Sequence, residues 1–250
     1  MIEIQALVRR YGAFEAVRGL TLSVPGGQVF GLLGPNGAGK STTLRILATL
    51  IRPSGGAVRV GGFDVVEKPD DVRRIIGYVP EGADLYDALT GFEFLELVAD
   101  LHRLPRDVAD ARRRPLLEAF ELWGDAGRAI GEYSKGMKQK LLIIAALQHE
   151  PRVLLLDEPL DGLDVAAQET LKGVIRRHAA GGGVVVYSSH ILEVVERVCD
   201  RVAIIDHGTL VADGAPAALL ASHPGKTLAD IFLGLTGGAV SGESPMTLAR

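Results

Sequence analysis

A lysine and a serine closing a glycine-rich run are the side chains best placed for chemistry in this sequence. Gly34-Pro35-Asn36-Gly37-Ala38-Gly39-Lys40-Ser41-Thr42 follows the apolar run Val29-Phe30-Gly31-Leu32-Leu33 and opens a helical pattern over residues 40–50. Glycines let a backbone curl until successive N–H groups converge on phosphate oxygens, and a helix start adds its positive dipole end. In that setting Lys40 reaches the β- and γ-phosphates of a nucleotide as a point charge, and the Ser41 hydroxyl serves as a Mg²⁺ ligand beside waters. The strand–loop–helix context makes this a phosphate-binding loop. It leaves open whether the chemistry is that of a kinase, a GTPase or a motor ATPase.

A second constellation follows the apolar run Val153-Leu154-Leu155-Leu156, which ends in Asp157-Glu158-Pro159. Ligand sites of open α/β sheets lie at the carboxyl ends of strands. Asp157 is placed there to hold Mg²⁺, directly or through water. Glu158, next along, points to the other side and can polarise an attacking water. The next strand pattern ends Val186-Tyr187-Ser188-Ser189-His190, so His190 falls at the same level and can contact a γ-phosphate. His102, His149, His178, His207 and His223 read as structural.

The elements that must carry these groups are strands and turns first. Ile2, Ile4, Ala6 and Val8 alternate with other residues, and Leu20-Thr21-Leu22-Ser23-Val24 alternates more cleanly before Pro25-Gly26-Gly27 turns the chain. Helical patterns take over from about residue 83 to 150. Thr90-Gly91-Phe92-Glu93 forms a capping-box signature, with Phe94, Leu97, Val98 and Leu101 on one face behind it. A further helix runs through Leu116, Leu117, Phe120 and Leu122, and another covers residues 135–148. Strands at 153–156 and 184–187 flank a helix at 165–178, a βαβ alternation that demands a parallel sheet covered on both faces. Asp206-His207-Gly208 reads as a hairpin turn, and residues 237–250 as a flexible tail.

Composition narrows the functional classes. Lys plus Arg number 27 against 31 Asp plus Glu, a net charge of −4, which offers no electrostatic grip on nucleic acid. Arg112-Arg113-Arg114 reads as a solvated helix face. The single cysteine, Cys199, excludes an internal disulfide and reads as a buried thiol in a helical pattern. The start, Met1-Ile2-Glu3-Ile4, lacks the pattern of a signal peptide. The apolar runs at 141–147 and 153–156 are far short of the ~20 residues of a membrane span. The expectation is a protein soluble by itself, whose membrane role would come through a partner.

These motifs resemble the ATP-binding subunit of ABC transporters over nearly the whole chain. Tyr133-Ser134-Lys135-Gly136-Met137, ahead of the acidic strand, looks like a divergent form of the family's LSGGQ signature that keeps Ser134 and Gly136. The YSKGM form is similar to the exporter branch, as is the closing helix Thr227-Leu228-Ala229-Asp230-Ile231-Phe232-Leu233. Tyr11 resembles the aromatic residue that stacks on adenine. Tyr78-Val79-Pro80-Glu81 resembles the loop facing the membrane subunit, with Glu81 where glutamine is usual. A carboxylate there can meet Mg²⁺ or water and cannot donate the amide's hydrogen bonds. Leu160-Asp161-Gly162-Leu163-Asp164 resembles the D-loop, and His190 the family's switch histidine.

The resemblance implies an α/β P-loop NTPase core with a mixed, mainly parallel sheet, an N-terminal antiparallel β subdomain and an inserted helical subdomain. It implies one nucleotide-binding domain over residues 1–236. ATP and Mg²⁺ would be bound, with Ser41, Asp157 and Glu81 at the metal. Lys40, Glu158 and His190 would serve hydrolysis. Two nucleotide-binding subunits would face head to tail, a homodimer, so that Ser134, Gly136 and Asp164 act across the interface. An integral membrane permease would be the other partner, placing the chain at the inner face of the cell membrane. Two other readings compete: an ABC ATPase that remodels or regulates proteins without a permease, and a metabolic P-loop kinase. The second would need an acceptor site and lid, whereas Tyr133–Met137 and Glu158 favour water as the acceptor.

Overall fold

The computed structural model describes residues 1–82, 85–189 and 192–237. The chain opens with β1 (Ile2–Tyr11) and β2 (Phe14–Val24), joined by a two-residue turn that pairs Tyr11 with Phe14. β3 (Gln28–Leu33) leads through the glycine loop into α1 (Lys40–Leu47). β4 (Gly55–Val60) and β5 (Phe63–Asp64) then return to β1, closing a four-stranded antiparallel sheet in the order β2-β1-β4-β5.

A second, six-stranded sheet carries the chemistry. α2 (Pro69–Ile75) runs into β6 (Ile76–Val79), after which α3 (Gly91–Leu101), α4 (Arg106–Ala119) and α5 (Lys135–Leu147) intervene before β7 (Val153–Asp157). α6 (Val165–Ala180), β8 (Val184–Ser188), α7 (Leu192–Val198), β9 (Arg201–Asp206) and β10 (Thr209–Gly214) follow, with α8 (Pro216–Ala221) and α9 (Leu228–Leu235) at the end. The strand order is β10-β9-β3-β8-β7-β6, parallel except for the β9–β10 hairpin. The fold is thus α/β, with a mixed, mainly parallel sheet, an antiparallel sheet at the N-terminal side and helices set between two of the parallel strands.

Register explains how distant motifs meet. Leu32 pairs with Ser188, Ser188 with Asp157, and Val79 with Leu156, so β3, β8, β7 and β6 all end at one edge. The glycine loop, the acidic pair and Glu81 leave the sheet from that edge. The central strands are apolar throughout because each face has its own core. Val29, Leu33, Leu154, Leu156, Val185 and Tyr187 belong to the core shared with α5, α6 and α7. Their neighbours Phe30, Leu32, Val153, Leu155, Val184 and Val186 pack toward α1 and the antiparallel sheet.

Several local expectations need correcting. β1 does not alternate through Ala6 and Val8: Ile2, Ile4 and Leu7 are buried, because a bulge at Ala6 (φ 47°) shifts the register by one. The Ala6 N–H is satisfied instead by Thr21 Oγ1 at 2.9 Å. α1 stops at Leu47 rather than 50, with Thr49 in a left-handed conformation. The Thr90 capping box on α3 is formed, a contact of about 1 kcal/mol. The buried face of α3 is nevertheless Phe94, Leu95 and Ala99, while Leu97 and Leu101 are exposed. Cys199 is buried just after α7 ends, and burial pushes its thiol up to about 12. Arg112, Arg113 and Arg114 are ion-paired to Glu150, Asp110 and Glu118. His102 and His149 stack at 3.7 Å, and burial pushes His149 down to about 4.

Candidate functional site

Each glycine of the loop answers a different constraint. A Cβ on Gly34 would lie 2.3 Å from the Ile205 carbonyl oxygen, so only glycine lets the loop pass β9. Gly39 is the N-cap of α1 at φ 104°, and a Cβ there would lie 2.5 Å from the Ala16 carbonyl oxygen. No side chain caps α1, which leaves first-turn amides without intrahelical partners at the cleft. Gly39→Ala is expected to cost about 1–3 kcal/mol of stability, from backbone overlap, and to abolish the thermal shift given by ATP. Melting curves with and without ATP test this; a native response to ATP would remove the close-approach argument.

Lys40 lies inside this loop, 7% exposed. Its ammonium donates to Gly34 O at 2.7 Å and Pro35 O at 3.2 Å. Burial lowers its pKa, opposed by the negative charges of Glu158, Asp157 and Glu81. Ala38 is buried behind the loop, its N–H on Pro35 O and its carbonyl on the Gly208 N–H.

The acidic pair divides as its environment dictates. Asp157, 1% exposed, accepts the Ser188 hydroxyl on Oδ1 at 2.6 Å. Its Oδ2 is buried with no hydrogen-bond partner among the described residues. A buried carboxylate oxygen left without a donor is costly and suits a hard cation. Ser41 and Glu81 line one cleft, and with Asp157 at the neighbouring strand end they would offer oxygen donors of the kind Mg²⁺ takes when waters and substrate phosphates complete its shell. Among the described residues there is no cluster of three or more His, Cys, Asp or Glu set to cage a metal, and a nucleotide-bound Mg²⁺ does not require one. Glu158 turns out of the strand at φ 49°, a conformation costing of order 1–3 kcal/mol for a non-glycine residue. Ser188 steadies it, its carbonyl and hydroxyl oxygens accepting the Glu158 N–H at 3.3 and 3.2 Å.

These residues converge on one cleft of about 490 Å³, lined by Tyr11, Asn36, Gly37, Gly39, Lys40, Ser41, Thr42, Glu81 and Glu158. Phe14 and Ala16 complete it. Phe14 escaped the sequence reading, although an aromatic facing Tyr11 across a two-residue turn was there to be seen. Tyr11 is 43% exposed, with the Arg9 guanidinium 4.4 Å from its ring centroid. One end of the cleft is therefore aromatic and the other is an amide-lined cationic loop facing carboxylates, a shape that fits a purine triphosphate.

Ser134, Gly136 and Asp164 do not line this cleft. Ser134 caps α5, accepting from the Met137 N–H at 3.2 Å. Asp164 caps α6 through the Ala167 N–H at 2.8 Å and pairs with Lys140 at 2.7 Å. Glu158 reaches the border of both regions, since it also lines a second cavity with Tyr133, Gln139 and Asp161. His190 lies outside the described residues.

Sheet order and cleft together define an ATP-binding cassette of the P-loop ATPase class. The family model described as "ABC transporter" matches residues 17–161. The chain is 41% identical over 221 residues to the daunorubicin/doxorubicin resistance ATP-binding protein DrrA of Streptomyces peucetius, covering 88% of this chain and 67% of that protein. It superposes on a solved ATP-binding subunit of an ABC transporter with a TM-score of 0.88 at 34% identity, over 94% of this chain and 99% of the other. A dimeric bacterial ABC transporter cassette matches with a TM-score of 0.79 at 25% identity, over 86% and 98%. The chain belongs to the ABC transporter family, as an ATP-binding ATPase subunit.

Proposed function

We propose that this chain powers an exporter by closing, two copies head to tail, around ATP. The observation that carries the reading is the separation within one chain of the phosphate cleft from the Ser134-capped start of α5. A helix N-terminus is a ready anion site, and a second copy would bring it over the nucleotide. The matched cassette of dimeric structure supports the pairing of two copies.

In the closed pair, Tyr11 stacks on the base while the loop amides of residues 34–42 and Lys40 bind the phosphates. Ser41, Asp157 and Glu81 would hold Mg²⁺, which would supply positive charge to offset that of the phosphates. Glu158 polarises the water in line with the γ-phosphate, and His190 orients it. Ser134 and Gly136 close over the same phosphate from the partner subunit, and Asp164 lies in that interface. Catalysis is then positioning and charge stabilisation rather than covalent chemistry. Because the γ-phosphate bridges two subunits, its loss reopens them.

Export is favoured by the resistance role in the name of the Streptomyces relative and by the YSKGM signature with its closing helix α9, which begins at a Thr227–Asp230 capping box. No helix of the described residues is long and apolar enough to cross a membrane. In this reading a permease at the inner face supplies the path. Ser134→Ala is expected to lower ATP hydrolysis at least tenfold while ATP affinity of the monomer stays within about twofold, since one hydrogen bond to a charged group is worth about 1.5–3 kcal/mol. Equal losses in phosphate release and in nucleotide titration would place Ser134 in its own subunit's site and sink the head-to-tail arrangement.

A further inference from the structure

The stretch after Glu158 has little regular structure of its own. Residues 158–164 form two turns, closed by Asp161 N–H to Glu158 O at 3.2 Å and Leu163 N–H to Leu160 O at 3.1 Å. The first two turns of α5 grip this strap along its length. A Cβ on Gly136 would lie 2.6 Å from Gly162 O, so backbone rests on backbone there. Gln139, buried, donates its Nε2–H to Pro159 O at 3.1 Å, one residue beyond Glu158. Lys140 Nζ lies 2.7 Å from Asp164 Oδ2 at the far end of the strap. An outer pair, Lys135 with Asp161 at 2.6 Å, adds a contact between exposed side chains.

These contacts are not equal. Lys135 and Asp161 stand in water, where an ion pair contributes little. The Lys140 side chain is only 10% exposed although its partner Asp164 is 56% exposed, and the Gln139 amide is buried against the Pro159 carbonyl that accepts from it. Glu158 is held at φ 49°, so the direction of its carboxylate depends on restraint from both sides. Ser188 provides it upstream and α5 downstream.

We propose that Gln139 and Lys140 are positioning residues for hydrolysis, clamping the strap that aims Glu158 at the attacking water. Neither side chain reaches the phosphates in this scheme; both act through the backbone that follows the carboxylate. The inference rests on Glu158 being the water-polarising base. It also makes α5 a shared beam, carrying Ser134 at its start and the brace for Glu158 one turn later.

The test is steady-state hydrolysis by the full chain with ATP and Mg²⁺. Lys140→Met keeps the stem and removes the charge. Its kcat is expected to fall about tenfold to a hundredfold, the scale set by small misplacements of a catalytic group, with KM and ATP affinity within about twofold. Lys140→Arg should restore kcat to within about threefold, because the charge returns at similar reach. Gln139→Leu should reproduce the kcat loss. If Lys140→Met fails to fold, Gln139→Asn, which keeps the amide and shortens its reach, carries the same expectation. Native kcat in folded Lys140→Met and Gln139→Leu, or a Lys140→Met loss that arginine does not repair, overturns the clamp. If these variants are native-like while Glu158→Gln is inactive, only the clamp falls; if Glu158→Gln keeps native kcat, the base assignment falls with it.

Discussion

Replacing Glu158 with glutamine is expected to cut ATP hydrolysis by about 10²–10⁴, the usual contribution of a positioned general base, while leaving ATP bound. Glutamine fills the same volume and accepts the same φ 49° backbone as glutamate at this strand exit, so the cleft should keep its shape. What disappears is the negative charge that polarises water. Lys40 feels three carboxylates, Glu158 first among them, and loses one; its ammonium then has more freedom to serve the phosphates. Nucleotide affinity should therefore hold or rise. With ATP bound and uncleaved, the bridging phosphate persists and the closed pair should accumulate. Single-turnover phosphate release reads the first effect, and light scattering with ATP and Mg²⁺ reads the second. Native phosphate release from Glu158→Gln would reassign the base, and loss of binding would mean that the substitution had disturbed the cleft.

Much of that site was legible because its parts are local. The run 34–42 states its own geometry: each glycine is demanded by a nearby carbonyl or by a left-handed φ, and the lysine and serine follow at fixed offsets. The strand Val153–Asp157 declares itself by being apolar on both faces. The capping box at Thr90 is written in a three-residue spacing and is formed. What stayed hidden depends on distant partners. β1, with its bulge at Ala6, is paired on both sides, with β2 and with β4, and no periodicity within residues 2–11 records two neighbours. α3 is rotated away from its most apolar stripe; Leu97 and Leu101 stay exposed while Leu95 and Ala99 fill the space against the other helices. Ser188 was visible at the end of a strand, yet its part in holding Asp157 and Glu158 follows only from the β7–β8 register. The grip of α5 on residues 158–164 joins positions twenty or more apart in the chain and left no local trace.

Replacing Lys40 with alanine is expected to weaken ATP binding by about 2–4 kcal/mol, some thirty- to a thousandfold in Kd, in the range found when one member of a buried charge pair is truncated. The loss has two sources. The direct one is the missing ammonium at the β- and γ-phosphates. The indirect one is what remains: Glu158, Asp157 and Glu81 all act electrostatically on Lys40, and without it a polyanionic nucleotide must approach three carboxylates without the lysine's charge to offset them. Stability should move the other way, or not at all. Burial disfavours the charged form of this lysine in the folded chain, so below its folded pKa the native protein carries a desolvation cost that alanine removes, offset by the lost bonds to Gly34 O and Pro35 O. A group that binds the folded state alone raises stability by about 2.7 kcal/mol at a hundredfold excess over Kd. Thermal melts should therefore show the native chain gaining several degrees with ATP, and Lys40→Ala starting at an equal or higher temperature and gaining at most about a third as much at the same ATP concentration. Unchanged affinity in a titration of Lys40→Ala would mean that the loop amides alone hold the phosphates, and the lysine would lose its place in the site.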